Sequence, residues 1–174
     1  MGLFDSGYTK KSKAFAFDKI PTTVNELKSF AESDLSSPFK TCALTMLVLL
    51  NYQNSVEGTV DMLNFLKGPE PMSAYDIQFL RDRLKGKEYV ARSFFSGSSP
   101  DNNYTPSKPL QITVYDNPYS YKDEGYATLY MDSTGADSPR SIKFRHKPST
   151  NEWFMVENFA LSDIRIPKNL DPWA

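Results

Sequence analysis

Residues 37–52 read Ser-Pro-Phe-Lys-Thr-Cys-Ala-Leu-Thr-Met-Leu-Val-Leu-Leu-Asn-Tyr, from Ser37 to Tyr52. Serine before proline favours a helix start, because serine accepts a hydrogen bond from an unpaired amide and proline has no amide to leave unpaired. From Cys42 to Leu50 the residues are apolar on nearly every side, which is typical of a helix covered by other elements. This stretch therefore predicts a central helix that organises the hydrophobic core.

Three further helices are predicted around this one, in a helical half that covers residues 22–86. Each is marked by a capping residue, by apolar positions at helical spacing, or by a glycine after its last turn. The predicted helices are, in chain order, residues 24–33 after Thr23, a helix from Asn54 or Ser55 to Gly68, and a helix from Ser73 to Gly86.

The second half of the chain predicts strands, over residues 110–167. A segment rich in Gly, Ser, Pro and Asn, residues 97–109, indicates a surface loop before them. Leu110, Ile112 and Val114 then alternate with more polar residues, which is the period of a strand. The predicted strands are residues 110–115, 126–131, 141–146 and 152–156, with Phe144 and Trp153 expected to meet across the last hairpin and residues 161–167 as a further edge segment.

The fold class that follows is α+β, with four N-terminal helices packed on a C-terminal antiparallel sheet of four strands. The chain of 174 residues predicts a single domain, residues 1–174, because the β half alone offers too little apolar area for a second core. Phe15 and Phe17 alternate with small residues, so the segment before Pro21 predicts either a short strand or an extended arm.

Composition excludes several classes of protein. Hydrophobic residues make up 40% and charged residues 24%, which are ordinary values for a folded domain. The net charge is −1, and the longest basic cluster, Lys10 to Lys13, is too short to hold duplex nucleic acid. No apolar run approaches the roughly 18 residues of a membrane span. The sequence thus predicts neither a nucleic-acid partner nor a membrane segment.

The single cysteine, Cys42, favours a reducing compartment, and no basic and apolar leader follows the first methionine. A cytoplasmic protein is therefore expected. Gly2 with Ser6 matches the pattern for N-myristoylation, but two fixed positions are a weak signal, and an ordinary protein start is the preferred interpretation.

No residue is predicted to be catalytic, and no metal or cofactor is implied. His146 is the only histidine and lies at a predicted strand end, where a surface imidazole is the simpler interpretation. Cys42 lies in the most apolar helix, where a thiol acts as a small hydrophobic group. Asp76 and Asp82 fit a solvated helix face. No glycine-rich phosphate loop occurs.

The most unusual feature is a concentration of tyrosines. Tyrosines on one sheet face stack on a sugar or a base, or anchor a protein interface. The same residues also pack across strands and in turns, and the sequence leaves both interpretations open. Tyr126 and Tyr130 are predicted to share one strand face. The candidate binding residues are Tyr115, Tyr119, Tyr121, Tyr126 and Tyr130.

Four segments together resemble a family of uncharacterised bacterial proteins of this length. They are Ser73 to Leu84 (SAYDIQFLRDRL), Asp116 to Tyr121 (DNPYSY), Gly135 to Arg140 (GADSPR) and the ending from Asp163 to Trp173. The resemblance covers the whole chain and implies a bacterial origin, but no activity, substrate or catalytic residue. The order of helices and then a meander is also similar to cone-shaped folds of the nuclear-transport-factor-2-like type, which implies a cavity between helices and sheet.

Three functions are compatible with these observations. The first is a non-catalytic ligand-binding or protein-interaction module that presents its tyrosines to a protein or a small polar ligand. The second is a small enzyme with a pocket between helices and sheet, using Asp76 or Asp82 with His146 or a tyrosine. The third is a structural subunit of an assembly, which predicts an exposed apolar patch.

Overall fold

The computed structural model describes residues 7–174. One strand is followed by five α-helices and then by four more strands. In chain order they are β1 (Ser12–Phe17), α1 (Val24–Lys28), α2 (Pro38–Leu49), α3 (Val56–Lys67), α4 (Ala74–Leu84), α5 (Tyr89–Arg92), β2 (Leu110–Tyr115), β3 (Tyr126–Met131), β4 (Arg140–Lys147) and β5 (Glu152–Asn158). Short 3-10 turns occur at Ala31–Asp34, Pro100–Asn102 and Lys168–Leu170.

The five strands form one antiparallel sheet in the order β1-β2-β3-β4-β5. Alternate residues of a strand point to opposite faces, so the sheet has an inner and an outer face. The inner face carries the buried apolar residues, among them Phe15, Ile112, Leu129 and Phe144. The outer face carries polar and exposed residues such as Thr113.

Helix α2 lies at the centre of the molecule, as the sequence predicts. Eleven of its twelve residues, all except Lys40, are buried. It packs against β2, β3 and β5 on the inner face of the sheet and against α3 on its other side. The Ser37 side chain accepts the amide of Phe39, which satisfies one donor at the helix start.

The predicted ends of α3 and α4 agree with the structure. Ser55 caps α3 and Gly68 follows it, while Ser73 and Asp76 form a capping box at the start of α4. The predicted helix over 24–33 is shorter, because α1 ends at Lys28 and a 3-10 turn follows. Of α4, Leu80 and Leu84 are buried, so this helix presents one narrow apolar side to the core.

The prediction of four strands, all after the helices, is wrong. Residues 12–17 form the fifth strand, β1, which pairs with all six residues of β2 from Ser12 opposite Tyr115 to Phe17 opposite Leu110. The prediction that all helices lie in the segment before residue 86 is also wrong, because α5 follows Gly86. Tyr89, Val90 and Ala91 of this single turn are buried, so packing rather than length stabilises it.

Phe144 and Trp153 are not directly opposite one another in the last hairpin, although Trp153 packs against the core that contains Phe144. The turn at 148–151 pairs Lys147 with Glu152, which places Trp153 opposite His146 and Phe144 opposite Met155. No strand is assigned to residues 161–167. The loop at 97–109 is anchored by Tyr104, which is fully buried and donates its hydroxyl to the Arg165 carbonyl at 2.6 Å.

No helix in residues 7–174 is long and apolar enough to cross a membrane. The myristoylation pattern at Gly2 and Ser6 lies outside the residues that the structure describes.

Candidate functional site

The outer face of the sheet carries three of the five predicted tyrosines, and we call Tyr115, Tyr126 and Tyr130 the tyrosine face. Tyr115 lies directly opposite Tyr130 in the β2–β3 pair, and their rings stack with centroids 6.2 Å apart. Tyr126 and Tyr130 share a strand face as predicted, about 13 Å apart at 3.3 Å per residue. All three side chains are partly exposed.

Three cations lie over the rings of the tyrosine face. Lys10 Nζ is 4.2 Å from the centroid of the Tyr115 ring. Lys143 Nζ and the guanidinium carbon of Arg145 lie 4.7 and 5.5 Å from the centroid of the Tyr126 ring. Such cation–π contacts contribute about 0.5–1 kcal/mol each at exposed sites. The tyrosine face is therefore aromatic and bordered by charges of both signs, because Asp123 lies 4.0 Å from Lys143 and Asp132 accepts the Tyr115 hydroxyl.

The other two predicted tyrosines lie in the loop between β2 and β3. Tyr119 is 70% exposed and Tyr121 is 47% exposed. The loop lies alongside the start of β3 and is bonded to it, because the Thr128 amide donates to the Ser120 carbonyl at 2.9 Å. The Asn117 side chain also accepts the Tyr119 amide. Two of the most accessible rings thus stand on a hydrogen-bonded loop beside the tyrosine face.

A buried carboxylate fixes the start of this loop. Asp116 is 5% exposed and accepts hydrogen bonds from the Tyr8 hydroxyl at 2.7 Å and the Lys11 amide at 2.9 Å. Desolvation, followed by the bond to Asp116, raises the pKa of Tyr8 to about 12. Desolvation and the nearby Asp116 charge also raise the pKa of Tyr121. Both phenols are therefore neutral donors at physiological pH.

The five tyrosines divide into two groups with different roles. Tyr115 and Tyr130 pack on one another, and the Tyr115 hydroxyl donates a short hydrogen bond to Asp132. Burial and this bond raise the pKa of Tyr115. This pair stabilises the sheet. Tyr119 and Tyr121 are the more exposed rings, and Tyr126 is partly exposed.

A second concave region lies between β5 and the segment from Lys67 to Leu80, and we call it the β5 groove. It consists of two adjoining cavities of about 290 and 560 Å³. The two cavities share Lys67, Asp76, Met155 and Val156 as lining residues. Lys67 Nζ donates to the Val156 carbonyl at 3.2 Å, so this lysine covers part of the sheet edge.

The two ends of the β5 groove differ in chemistry. The smaller cavity is lined mainly by apolar side chains, including Met72, Phe79 and Phe159. The larger cavity is lined by Arg145, His146 and Lys147 in addition to the shared Lys67. Its acidic members are Glu70 and the shared Asp76. The sequence raised a pocket between helices and sheet as one possibility, with Asp76 and His146 among its residues, and both line this groove. The rest of the lining was not predicted, because its walls come from segments far apart in the chain.

The candidate catalytic groups have structural partners. His146 stacks on Trp153 at 4.6 Å between ring centroids, and its Nε2 is 2.9 Å from Asn151 Oδ1. Asp76 accepts the Ser73 amide in the capping box, and Asp82 accepts from Gln78. Asp76 and His146 nevertheless line the same cavity.

Cys42 is completely buried, and desolvation raises the pKa of its thiol. A thiol that stays protonated is a poor nucleophile and a poor metal ligand. Within residues 7–174 no three His, Cys, Asp or Glu side chains are grouped closely enough to hold a metal ion.

Lys10 and Lys143 lie over rings of the tyrosine face but were not predicted as site residues from the sequence. The signal that could have found Lys143 is the alternation within β4, which puts it on the same face as Arg145. Lys10 could not be placed without the β1–β2 pairing, because it precedes the strand whose nature the sequence left open.

Comparison with known families gives one match, to a family described as a domain of unknown function, DUF6935. The match covers residues 19–168 of the 174. The chain belongs to this family. The family resemblance expected from the sequence is therefore confirmed over nearly the whole chain. The DUF6935 match begins after β1 and includes the candidate tyrosines and the β5 groove. No curated protein and no solved structure matches the chain.

Proposed function

We propose that this DUF6935 chain is a non-catalytic interaction module that binds a partner through the tyrosine face and the adjoining loop at 116–124. The observation that carries the proposal is the position of Tyr119 and Tyr121. Both rings are exposed to solvent on a loop whose backbone is hydrogen-bonded to β3 and to its own side chains. Rigid aromatic side chains bind with little loss of conformational entropy.

The chemistry of the surface favours a protein partner over a flat sugar. Lys10 already lies over the Tyr115 ring, and Lys143 and Arg145 lie over the Tyr126 ring. A sugar ring would have to displace these cations before it could stack on Tyr115 or Tyr126. Tyrosine and arginine are instead enriched at protein interfaces, where they form the strongest contacts. Lys10 and Arg145 form no ion pair within residues 7–174, and these two cations favour a partner with acidic groups at its contact surface.

The proposal is tested by replacing Tyr119, Tyr121 and Tyr126 with alanine. Immobilised wild-type protein is expected to capture a discrete partner from a lysate of its own source cells, and the triple variant to lose it. The melting temperature should stay nearly unchanged, because Tyr119 and Tyr121 are exposed and Tyr126 is partly exposed.

Tyr75 supplies the matched control. It is 75% exposed but lies on α4, away from the tyrosine face. Tyr75→Ala should capture the same partner as the wild type. Equal capture by the triple variant, or equal loss in Tyr75→Ala, would refute the proposal.

The enzyme alternative has one observation in its favour, which is that Asp76 and His146 line one cavity. Against it, the Asp76 carboxylate is held by the Ser73 amide and His146 Nε2 is paired with Asn151. One oxygen of Asp76 and one nitrogen of His146 are therefore already engaged within the protein. The binding proposal uses rings that are exposed to solvent, so we prefer it.

The proposal has three further parts. A cytoplasmic location is supported by the single cysteine, and a bacterial source by the sequence resemblance. A cone-shaped fold of the nuclear-transport-factor-2-like type is supported by helices packed on one face of an antiparallel meander. A role as a structural subunit stays a third candidate, supported by exposed apolar side chains such as Leu170 and Trp173.

A further inference from the structure

We propose that the β5 groove binds a single-chain anionic amphiphile, with its carboxylate at the end lined by Arg145 and Lys147 and its alkyl chain at the end lined by Phe79 and Phe159. This site is separate from the tyrosine surface of the proposed function. Arg145 is the one residue common to both, because it lies over Tyr126 and also lines the larger cavity.

The apolar end of the β5 groove suits an alkyl chain. Met72, Phe79, Leu80 and Met155 line its walls. Phe159 also lines this cavity and is 52% exposed, so the groove stays open to solvent beside an uncovered aromatic ring. Covering such apolar surface stabilises a complex by about 25 cal/mol for each Å² removed from water.

The other end of the β5 groove suits an anion. Lys67, Arg145 and Lys147 line the larger cavity, and in residues 7–174 none of the three forms an ion pair with a carboxylate. The two acidic side chains that line the same cavity, Glu70 and Asp76, do not neutralise these three cations by ion pairing. The Asp76 carboxylate accepts the Ser73 amide, and Glu70 is exposed. A carboxylate head would therefore gain charge-assisted hydrogen bonds that the protein itself does not supply.

The groove has the size of a small-molecule site. Its cavities, of about 290 and 560 Å³, fall near the range of ligand pockets, roughly 300–1,000 Å³. Along β5 the lining runs from Phe154 to Asn158, a span of about 13 Å at 3.3 Å per residue. An extended chain the length of decanoate matches this span. The smaller cavity is the more apolar of the two, although Glu157 and Asn158 also line it, and the larger cavity holds Arg145 and Lys147.

The test is a titration of ¹⁵N-labelled full chain with decanoate below its micellar concentration, followed by amide chemical shifts. We expect saturable shifts at Met155, Val156 and Phe159 and at the loop before α4, and no shifts at Tyr119 or Tyr121. Decyltrimethylammonium has the same chain with the opposite charge and should bind at least about tenfold more weakly. Acetate, which lacks the chain, should produce no saturable shift.

Two variants separate head recognition from chain recognition. Lys147→Glu reverses an exposed charge at the cationic end and should weaken decanoate binding by about tenfold. Phe159→Glu places a charge at the apolar end and should weaken it by a similar factor. Both residues are exposed, so neither change should disturb folding. Lys85→Glu changes an exposed lysine that lines neither cavity and should leave binding unchanged.

Several results would overturn the inference. These are an absence of saturable decanoate shifts, equal binding of decanoate and decyltrimethylammonium, or equal effects of Lys147→Glu and Lys85→Glu. Sedimentation with phosphatidylglycerol vesicles in the absence of decanoate binding would also overturn it, because the surface would then recognise a membrane. None of these results bears on partner capture by Tyr119 and Tyr121, so the two proposals fail independently.

Discussion

At the scale of single residues, Gly68 ends α3 at the point where that helix lies against Phe154 of β5. Its φ is +64°, a conformation that side chains disfavour, and a Cβ added there would lie 2.5 Å from the ring of Phe154. Gly68 predicted the end of this helix from the sequence, because glycine readily adopts the backbone conformation found there. The sequence could not predict the contact with Phe154, since that ring comes from the opposite end of the chain.

We expect Gly68→Ala to destabilise the protein by about 2–5 kcal/mol, through backbone strain of about 1–2 and steric crowding of about 1–3. Gly86→Ala is the matched control, because Gly86 has φ +70° but nothing within 4 Å of an added Cβ. It should cost only the strain. Urea unfolding measures both. Equal losses in the two variants would mean that Phe154 does not lie against Gly68.

A second residue-scale prediction concerns Tyr104. Its ring is fully buried, and its hydroxyl donates to the Arg165 carbonyl. Tyr104→Phe should cost about 1–3 kcal/mol in unfolding free energy, because the hydrogen bond from the buried Tyr104 side chain to the Arg165 carbonyl is lost. Tyr75→Phe removes a hydroxyl from an exposed ring and should cost less than about 0.5 kcal/mol. If Tyr104→Phe costs less than about 0.5 kcal/mol, as expected for Tyr75→Phe, the Tyr104 hydroxyl is bonded to water and not to the Arg165 carbonyl.

At the scale of elements, α2 is the part of the fold that the sequence predicted best. Its cap, its proline and its apolar run are local signals, and local signals are readable without knowing the fold. The strand nature of residues 12–17 was left open, because Ala14 and Ala16 give a weak alternation and the partner strand β2 is distant in the chain. The single turn of α5 has no periodicity to detect.

The central position of α2 predicts a large effect of shortening a side chain there. Leu47 is completely buried, so Leu47→Ala should destabilise the protein by about 2–5 kcal/mol, through lost apolar burial and a residual cavity. Leu170→Ala, at a position 61% exposed, should cost less than about 0.5 kcal/mol. Denaturant midpoints with unchanged slopes measure the difference. An average substitution costs roughly 1 kcal/mol in unfolding free energy. A loss below about 1 kcal/mol for Leu47→Ala would therefore contradict a central position of α2.

At the scale of the whole molecule, the phenols make stability depend on alkaline pH. Desolvation raises the folded-state pKa of Tyr8 to about 12, and burial also raises that of Tyr115. Between the unfolded and folded pKa values the native state holds more protons than the unfolded state, so stability falls as pH rises. The contribution is complete below about pH 10 and is lost through about pH 12.

Unfolding free energies measured across that pH range should decline, and Tyr8→Phe should decline less steeply than the wild type. Phenylalanine keeps the ring but cannot titrate, so the difference in slope reports the hydroxyl alone. Stability that is constant or rises in this range would show that the Tyr8 phenol is not held neutral by burial and Asp116.

The sequence predicted which residues form the tyrosine face better than it predicted their geometry. Tyr126 and Tyr130 were placed on one face by strand periodicity, and the structure agrees. The stacking of Tyr115 on Tyr130 and the cations over the rings depend on strand register, which a single sequence does not specify. The β5 groove depends on how α4 sits beside an edge strand, and no local pattern encodes that.

The central claim is that Tyr119 stands on the surface that contacts a partner. A photo-crosslinking amino acid introduced at Tyr119 in cells of the native source tests it most directly, with the same substitution at the exposed Tyr75 as control. The account predicts one discrete crosslinked species from position 119 and none from position 75. No adduct at position 119, or the same adducts from both positions, would contradict it.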